Sequence, residues 1–524
     1  MDSDKENKVI LLERKQRSTD EDKDEHEETS PLKSDLDNTE SNVKNVRNKN
    51  LSISERLKVI KENMTVEPIM AGYIMPSVLA SLATQNLNLE KACRVNLNFS
   101  TEVCDALKLR QTENYTEYED QVQTFIAGIQ AWKNVVQTAI PVLIILFVGA
   151  WSDKTGRRKI CILMPIVGEL ITCIGFMINT YFFYELPVEV TALTESIFPA
   201  ITGGWFTNFI GVFSYIGDIT TTEDRTYRVG IVNLCMSLGY PIGSSLSGLL
   251  LTWIGYYGVF SLSALLYLCS LIYGYFYLED TKRKTCESKN KGCIGYILEF
   301  FDTKLVVDTF KVAFRKGCGN RRLRVCLLLI VVCVVFGPSQ GEFSILYLFT
   351  RYRFNWDEIQ YSMWTTYCIV TNLFGTLFSI SLFSNYLKLD DTLLGIISCT
   401  SKIVASFAYA FARNDLEIYL APLLEILNGT SFIAMRSIAS KLVSGQEFGK
   451  VNSLFGLAEA MTPIVYGPLY SRTYMATLNI LPGAVFLLGA LLTLPAIGIF
   501  GWLYFEHQKD KRKAAQNLSD TEKI

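Results

Sequence analysis

From residue 61 onward the chain alternates long apolar stretches with short polar joints. Twelve apolar runs stand out, at 66–84, 125–149, 158–180, 194–218, 229–251, 255–278, 325–349, 360–383, 392–412, 418–440, 452–471 and 480–505. A helix of about 20 such residues crosses ~30 Å of hydrocarbon. Lipid offers backbone amides no partner outside a helix, so each run predicts a membrane-spanning helix. The fold class predicted is an all-α membrane protein, with twelve transmembrane helices in two six-helix halves. Pro76, Pro141, Pro241, Pro338, Pro422 and Pro463 fall inside runs, where membrane helices tolerate proline and often kink. Buried helices of a large soluble enzyme are the competing reading, and so many runs of this length fit it poorly.

The polar stretches divide the chain. Residues 1–60 are almost wholly polar ("DSDKENK", "STDEDKDEHEETSPLKSD"), too poor in apolar surface to offset their ordering entropy, and predict a disordered tail. An N-terminal half follows at 61–280, then a basic linker at 281–324, a C-terminal half at 325–505 and a tail at 506–524. "DKTGRRK" after span 2 and the linker concentrate Lys and Arg, which places both in the cytoplasm. With an even span count both termini are then cytoplasmic. The linker's "GYILEFFDTKLVVDTFKVAFRK" has apolar residues at helical spacing, which suits a helix on the inner membrane surface as well as a plain linker. The loop 85–122 falls outside. It holds the sequons Asn98-Phe99-Ser100 and Asn114-Tyr115-Thr116, candidate glycosylation sites. Cys93 and Cys104 lie in it too, placed to bridge on the oxidising side, two free thiols being the alternative.

Composition narrows the chemistry. The net charge of -2 gives no basic surface for nucleic acid. His26 and His507 are the two histidines, both in polar tails, and no C-x-x-C occurs, so no metal or cofactor site is expected. No nucleophile–base pair or phosphate loop stands at meaningful spacing, which argues against an enzyme. "GYPIGSSLSG" (239–248) reads as close helix packing by small residues.

One joint carries a signature. "GAWSDKTGRRK" (149–159) resembles the G-x-x-x-D-x-x-G-R-R/K pattern of the major facilitator superfamily, through Gly149, Asp153, Gly156, Arg157 and Arg158. The resemblance implies two bundles with a latch between spans 2 and 3 at the inner gate, and Asp218, closing span 4, can join it. A finer resemblance is to the proton-coupled folate transporter family, solute carrier family 46. "TVEP" (65–68), "SYIGDITTTEDRTYRVG" (214–230), "ILYLFTRYRFNWDEIQYS" (345–362) and "MRSIASKLVSGQEFGKVNSLFGLAEAMTPIVYGPLY" (435–470) carry it. It implies proton-driven movement of small organic anions, folate-like or muropeptide-like, across the plasma or lysosomal membrane by alternating access, with spans 1, 4, 7 and 10 lining the cavity.

Charges at span depth cost ~2.5–3.5 kcal/mol each and so predict function. Glu342 (span 7), Glu425 and Arg436 (span 10), Glu459 (span 11) and Lys402 (span 9) are the candidates for substrate contact or proton coupling. Arg436 is read as an anion or coupling contact with Glu459 as its partner, because a guanidinium can hold a carboxylate in a fork. Glu67 reads as an interfacial acid. Glu169 in span 3, a usually peripheral span, reads as structural. With no histidine in a span, a carboxylate raised by desolvation must carry any proton; Glu342, Glu425, Glu459 and Asp218 are the pool. Asn233 stands where the resemblance leads one to expect an acid in span 5. That substitution keeps open an uncoupled facilitator, and a non-transporting receptor is the third reading.

Overall fold

A computed structural model describes residues 65–220, 222–280 and 320–521 apart from 388, 443 and 444, together with 307, 311, 314 and 315. The predicted tail 1–60, and nearly all of the linker with its candidate surface helix, lie outside the described residues.

Every predicted run falls on helix. Span 1 is α1 (Glu67–Lys91). The loop after it is folded, with a π turn at Ala92–Asn96 and a short helix α2 (Thr101–Lys108) capped by Ser100. Span 2 is α3 (Thr116–Thr155) and span 3 is α4 (Arg158–Tyr181). Span 4 is broken into α5 (Val188–Ile201) and α6 (Gly204–Ile219). Spans 5 and 6 form α7 (Thr222–Tyr277), turned at Gly255 (φ 63°). The second half runs as α8 (Arg321–Phe354), α9 (Glu358–Ser379) and α10 (Asp391–Phe411). Span 10 is broken like span 4, into α11 (Asp415–Leu424) and α12 (Thr430–Leu442). Last come α13 (Gly445–Thr477) and α14 (Ala484–Thr521). The tail after 505 continues α14 to Thr521. Arg324 holds it through Glu506 (3.3 Å) and Asp510 (2.6 Å).

Six helical stretches are apolar and unbroken enough to cross a membrane by length and hydropathy alone: Arg158–Tyr181, Gly230–Tyr277, Arg321–Phe354, Glu358–Phe383, Asp391–Phe411 and Ala484–Arg512. Spans 1, 2, 4, 10 and 11 are missing from that set for a physical reason. They are broken or carry polar residues, and a helix facing an internal cavity need not be apolar all round. The outward faces are apolar: Leu143, Ile174, Leu246, Leu265, Phe374 and Leu491 are each exposed, a surface that requires lipid.

The break in span 4 sits at Gly203 and Gly204, with φ 89° and 59°. These are left-handed values that glycine adopts at no steric cost. A Cβ on Gly203 would also stand 2.3 Å from Thr207 Oγ1. Pro338, in contrast, stays within a continuous α8.

Two seams join the halves: α3 lies along α13, and α7 along α9. Gly248 shows why the small residues of span 5 matter. A Cβ there would meet the Glu358 carbonyl oxygen at 2.4 Å, and the Gly248 amide instead donates to Ser362 Oγ at 2.9 Å. The core divides along the membrane normal. One cluster, including Leu82, Ile126, Tyr347, Trp356 and Tyr474, draws on both halves at the end that carries α2. That end is called the disulfide end below, because Cys93 and Cys104 are bonded there. Toward the opposite, hinge end, the two halves have largely separate clusters, around Tyr73 and Ile216 in one and Val331 and Phe455 in the other.

Candidate functional site

A cavity of about 280 Å³ lies between the halves. Span 2 supplies one wall with Gln130, Lys133, Asn134, Gln137 and Thr138. Their i, i+3, i+4, i+7, i+8 spacing puts them on one face of α3. Span 1 adds Ser81 and Gln85, and span 7 adds Phe336, Gln340, Phe343 and Ser344. Glu195, Trp205 and Phe206 come from the two pieces of span 4, and Glu169 from span 3. The break at Gly203 and Gly204 lets span 4 present an acid from α5 and rings from α6 to the same space. Lys133 Nζ is 2.7 Å from Glu195 Oε1. Lys133 is 5% exposed, and Glu195 Oε2 is buried without a hydrogen-bond partner.

Lys133 and Glu195 were missed by the sequence reasoning, and Glu169, read as structural, lines the cavity. The signal was present. "GIQAWKNVVQTAIP" repeats polar residues at helical spacing inside an apolar run, and a lysine in a span is functional by default. Of the site candidates, Glu342, Lys402, Glu425, Arg436 and Glu459 are not among the described lining residues.

Three of them meet elsewhere. Lys402 Nζ donates to Glu342 Oε2 at 2.6 Å and to Glu425 Oε1 at 2.9 Å. Asn428, in the break of span 10, donates to the same Glu425 oxygen at 2.9 Å. The cluster ties spans 7, 9 and 10 together, and its side chains are 5–17% exposed. Glu342 Oε1 and Tyr470 Oη are both buried without a hydrogen-bond partner. Both crowd Gly489, where a Cβ would come within 2.2 and 3.0 Å of them.

Among the described residues, several charges at the hinge end pair inside one half. Arg158 Nε lies 2.8 Å from Asp218 Oδ2, and Arg158 Nη1 donates to Ser152 Oγ at 2.8 Å. Gly156 ends α3 in the left-handed region (φ 71°), and the exposed Arg157 follows it. Gly149 and Asp153 lie in the last turns of α3, with their side chains outside the described set. Glu67 is wholly buried against Arg228 at 3.2 Å, with its other oxygen on the Thr65 amide. It is buried within the bundle at the start of α1. Arg436 Nη2 reaches both Glu459 oxygens, at 3.0 and 3.2 Å. One nitrogen serves two acceptors, so this is not the two-nitrogen fork. Asn233 is exposed on α7.

At the disulfide end, hydrogen bonds cross between the halves. Tyr347 Oη donates to Asn86 Oδ1 at 2.6 Å, Arg351 Nε to Glu119 Oε1 at 3.1 Å and Arg351 Nη2 to the Leu107 carbonyl at 3.2 Å. Burial pushes the Glu119 carboxyl up, but the charges of Arg351 and Arg110 and the bonds from Gln123 and Arg351 outweigh it and hold it below the usual range. The sequons Asn98 and Asn114 are exposed at this end.

The sequence pattern of the Major Facilitator Superfamily matches residues 121–465, more than half of the chain. A probable peptidoglycan muropeptide transporter SLC46 of Drosophila melanogaster is 24% identical over 462 residues, covering 85% of this chain and 86% of its own. A lysosomal proton-coupled steroid conjugate and bile acid symporter, SLC46A3 of Gallus gallus, is 27% identical over 457 residues, covering 85% and 94%. Among solved structures, the human organic anion transporter MFSD10 aligns with a TM-score of 0.53 at 16% identity, over 83% of this chain and 98% of its own. The nucleoside transporter NupG aligns with a TM-score of 0.56 at 14% identity, over 84% and 98%. Likeness at that identity speaks to the fold alone. The paired six-span halves, the hinge between spans 2 and 3 and the matched pattern agree, and the chain belongs to the major facilitator superfamily, a family of membrane transporters, with its curated relatives in solute carrier family 46.

Proposed function

We propose that this transporter carries small organic anions together with protons, by alternating access around the cavity between its halves. The observation that carries the reading is a polar cavity with a buried lysine in it, closed at the disulfide end by bonds between the halves. Relatives named as muropeptide, steroid conjugate and bile acid transporters support an organic anion as cargo, and folate-like solutes belong to the same chemical class.

Proton coupling is assigned to the Glu342–Lys402–Glu425 cluster. Two carboxylates on one ammonium leave one net negative charge, so the cluster can take up one proton without losing its internal pairing. Its position matters as much as its charge. It joins α8 and α10 to the break in span 10, and corresponding interrupted helices in two halves are where transporters bend and bind. Arg436 with Glu459, and Arg158 with Asp153, Arg157 and Asp218, are assigned to hinge-end latches that hold or release one conformation. We assign the disulfide end to the outer or lumenal side, because disulfides persist in oxidising surroundings, with both termini in the cytoplasm and the protein in the plasma or lysosomal membrane.

Uptake into cells at acidic and at neutral external pH, with folates, muropeptides, bile acids and steroid sulfates, tests the reading. The expected result is uptake of at least one anion that rises with acidity and that Glu342→Gln uncouples from the proton gradient. Equal uptake at both pH values removes the proton and leaves a facilitator, the reading that Asn233 favours.

A further inference from the structure

We infer that Lys133 is the contact for the cargo's anionic group and that Glu195 is the internal stand-in which that group replaces. The inference deepens the transport reading and rests on it.

A lysine this deeply buried needs a negative partner at every stage, because an isolated charge out of water is far costlier than a paired one. Glu195 supplies it, through Oε1 at 2.7 Å. The arrangement is half finished. Glu195 Oε2 is buried with no hydrogen-bond partner from the protein, so the pair still has an open acceptor on its cavity side. Both side chains line the cavity, on α3 and α5. An entering anion therefore finds the ammonium already desolvated and held by one carboxylate oxygen.

The charge count sets the condition for exchange. Lys133, Glu169 and Glu195 are the ionisable residues among the described lining. With all three ionised the cavity carries one net negative charge and repels an anion. The cargo enters by taking the place of Glu195 on Lys133, whose N–H turns from Glu195 Oε1 to the cargo's anionic group. One ion pair is exchanged for another. Around Glu169, the other acid in this space, stand Tyr73 from α1 and Tyr267 from α7, neutral phenols that supply no compensating charge. The walls define the rest of the cargo. Gln85, Gln130 and Gln340 offer amide donors and acceptors, and Trp205, Phe336 and Phe343 offer rings. Together they suit one anionic group on an apolar, ring-bearing body with a few hydroxyl or amide groups.

Equilibrium binding to the purified full-length protein tests this, using a conjugated bile acid, a steroid sulfate and their uncharged analogues as probes. Glu195→Gln removes the competing charge, so at neutral pH it tightens binding of the anions by about tenfold and leaves the analogues unchanged. The double variant Lys133→Gln with Glu195→Gln leaves no lone buried charge in the pair. It keeps the fold and lowers anion binding to that of the analogues. Anion binding by the double variant equal to wild type, or weaker anion binding by Glu195→Gln alone, overturns the inference while the transport reading stands. A wild-type protein that binds none of the probes overturns the inference for these cargoes, and uptake of folates or muropeptides then decides the transport reading.

Discussion

At the residue scale, pairs of buried charges organise the protein, and one member of a pair can be removed. Lys402 between Glu342 and Glu425 is the clearest case. Breaking a buried pair by deleting one member leaves an uncompensated charge and costs about 3–5 kcal/mol. Lys402→Met is therefore expected to lower the unfolding temperature of the detergent-solubilised protein sharply. Adding Glu342→Gln and Glu425→Gln is expected to restore much of the loss, because the triple variant buries no lone charge. Glu119 gives a pH prediction. Its carboxyl is held below its ordinary range in the folded protein. The group thus adds stability above its unfolded pKa of about 4.3, and this is lost as pH falls through the lower folded value. The disulfide-end seal is expected to hold from neutral to mildly acidic pH and to weaken only below about pH 4. Unfolding midpoints of wild type and Arg351→Gln across pH check this. Their difference should be largest near neutral pH and shrink as pH falls, because the carboxyl that has lost Arg351 takes up its proton first.

The same scale shows what the sequence made legible. Glu342, Glu425 and Lys402 were found because each interrupts an apolar run, where a charge is conspicuous. Lys133 is just as charged, yet its neighbours Gln130, Asn134 and Gln137 soften the contrast, and a polar stripe is read by angle, not by count. Glu195 sits at the edge of its run, where a charge is less conspicuous. Glu169 was placed by the usual role of span 3, and the packing of this protein turned it inward. That Lys402 lies between two acids from different spans depends on tertiary packing, which no local pattern encodes.

At the element scale, the breaks in spans 4 and 10 bring function out of helix geometry. Prolines were the expected bend markers, and Pro199 and Pro422 do precede the breaks. The decisive residues in span 4 are Gly203 and Gly204, whose left-handed backbone cannot be seen from hydrophobic spacing. Gly203→Ala is expected to destabilise by at least about 1–2 kcal/mol from the positive φ alone, and the contact with Thr207 adds to that. Uptake by this variant should fall more than its surface abundance, since the break aims Glu195 and Trp205 at one cavity. The loop after span 1 is a folded cap. Its Cys93–Cys104 bond closes a short loop of separation 11. Cys93→Ser is expected to cost about 2–4 kcal/mol, seen as a lower unfolding temperature that reductant reproduces in wild type but not in the variant.

At the scale of the whole molecule, the apolar runs gave the twelve helices and the division into halves, because lipid permits little else. They did not give the state. Closure at the disulfide end rests on Tyr347 with Asn86, Arg351 with Glu119, and the serines of the α7–α9 seam, contacts between residues far apart in the chain. Alternating access requires those contacts to part once per cycle, and this is the central claim. Ser247 Oγ and Ser362 Oγ lie 3.1 Å apart across the seam, close enough for a bond between cysteines in their place. The direct measurement is uptake by the Ser247→Cys, Ser362→Cys double variant before and after oxidation, with each single variant as control. Transport should stop when the bond forms and return with reductant; uptake at the full rate with the bond intact would contradict the account.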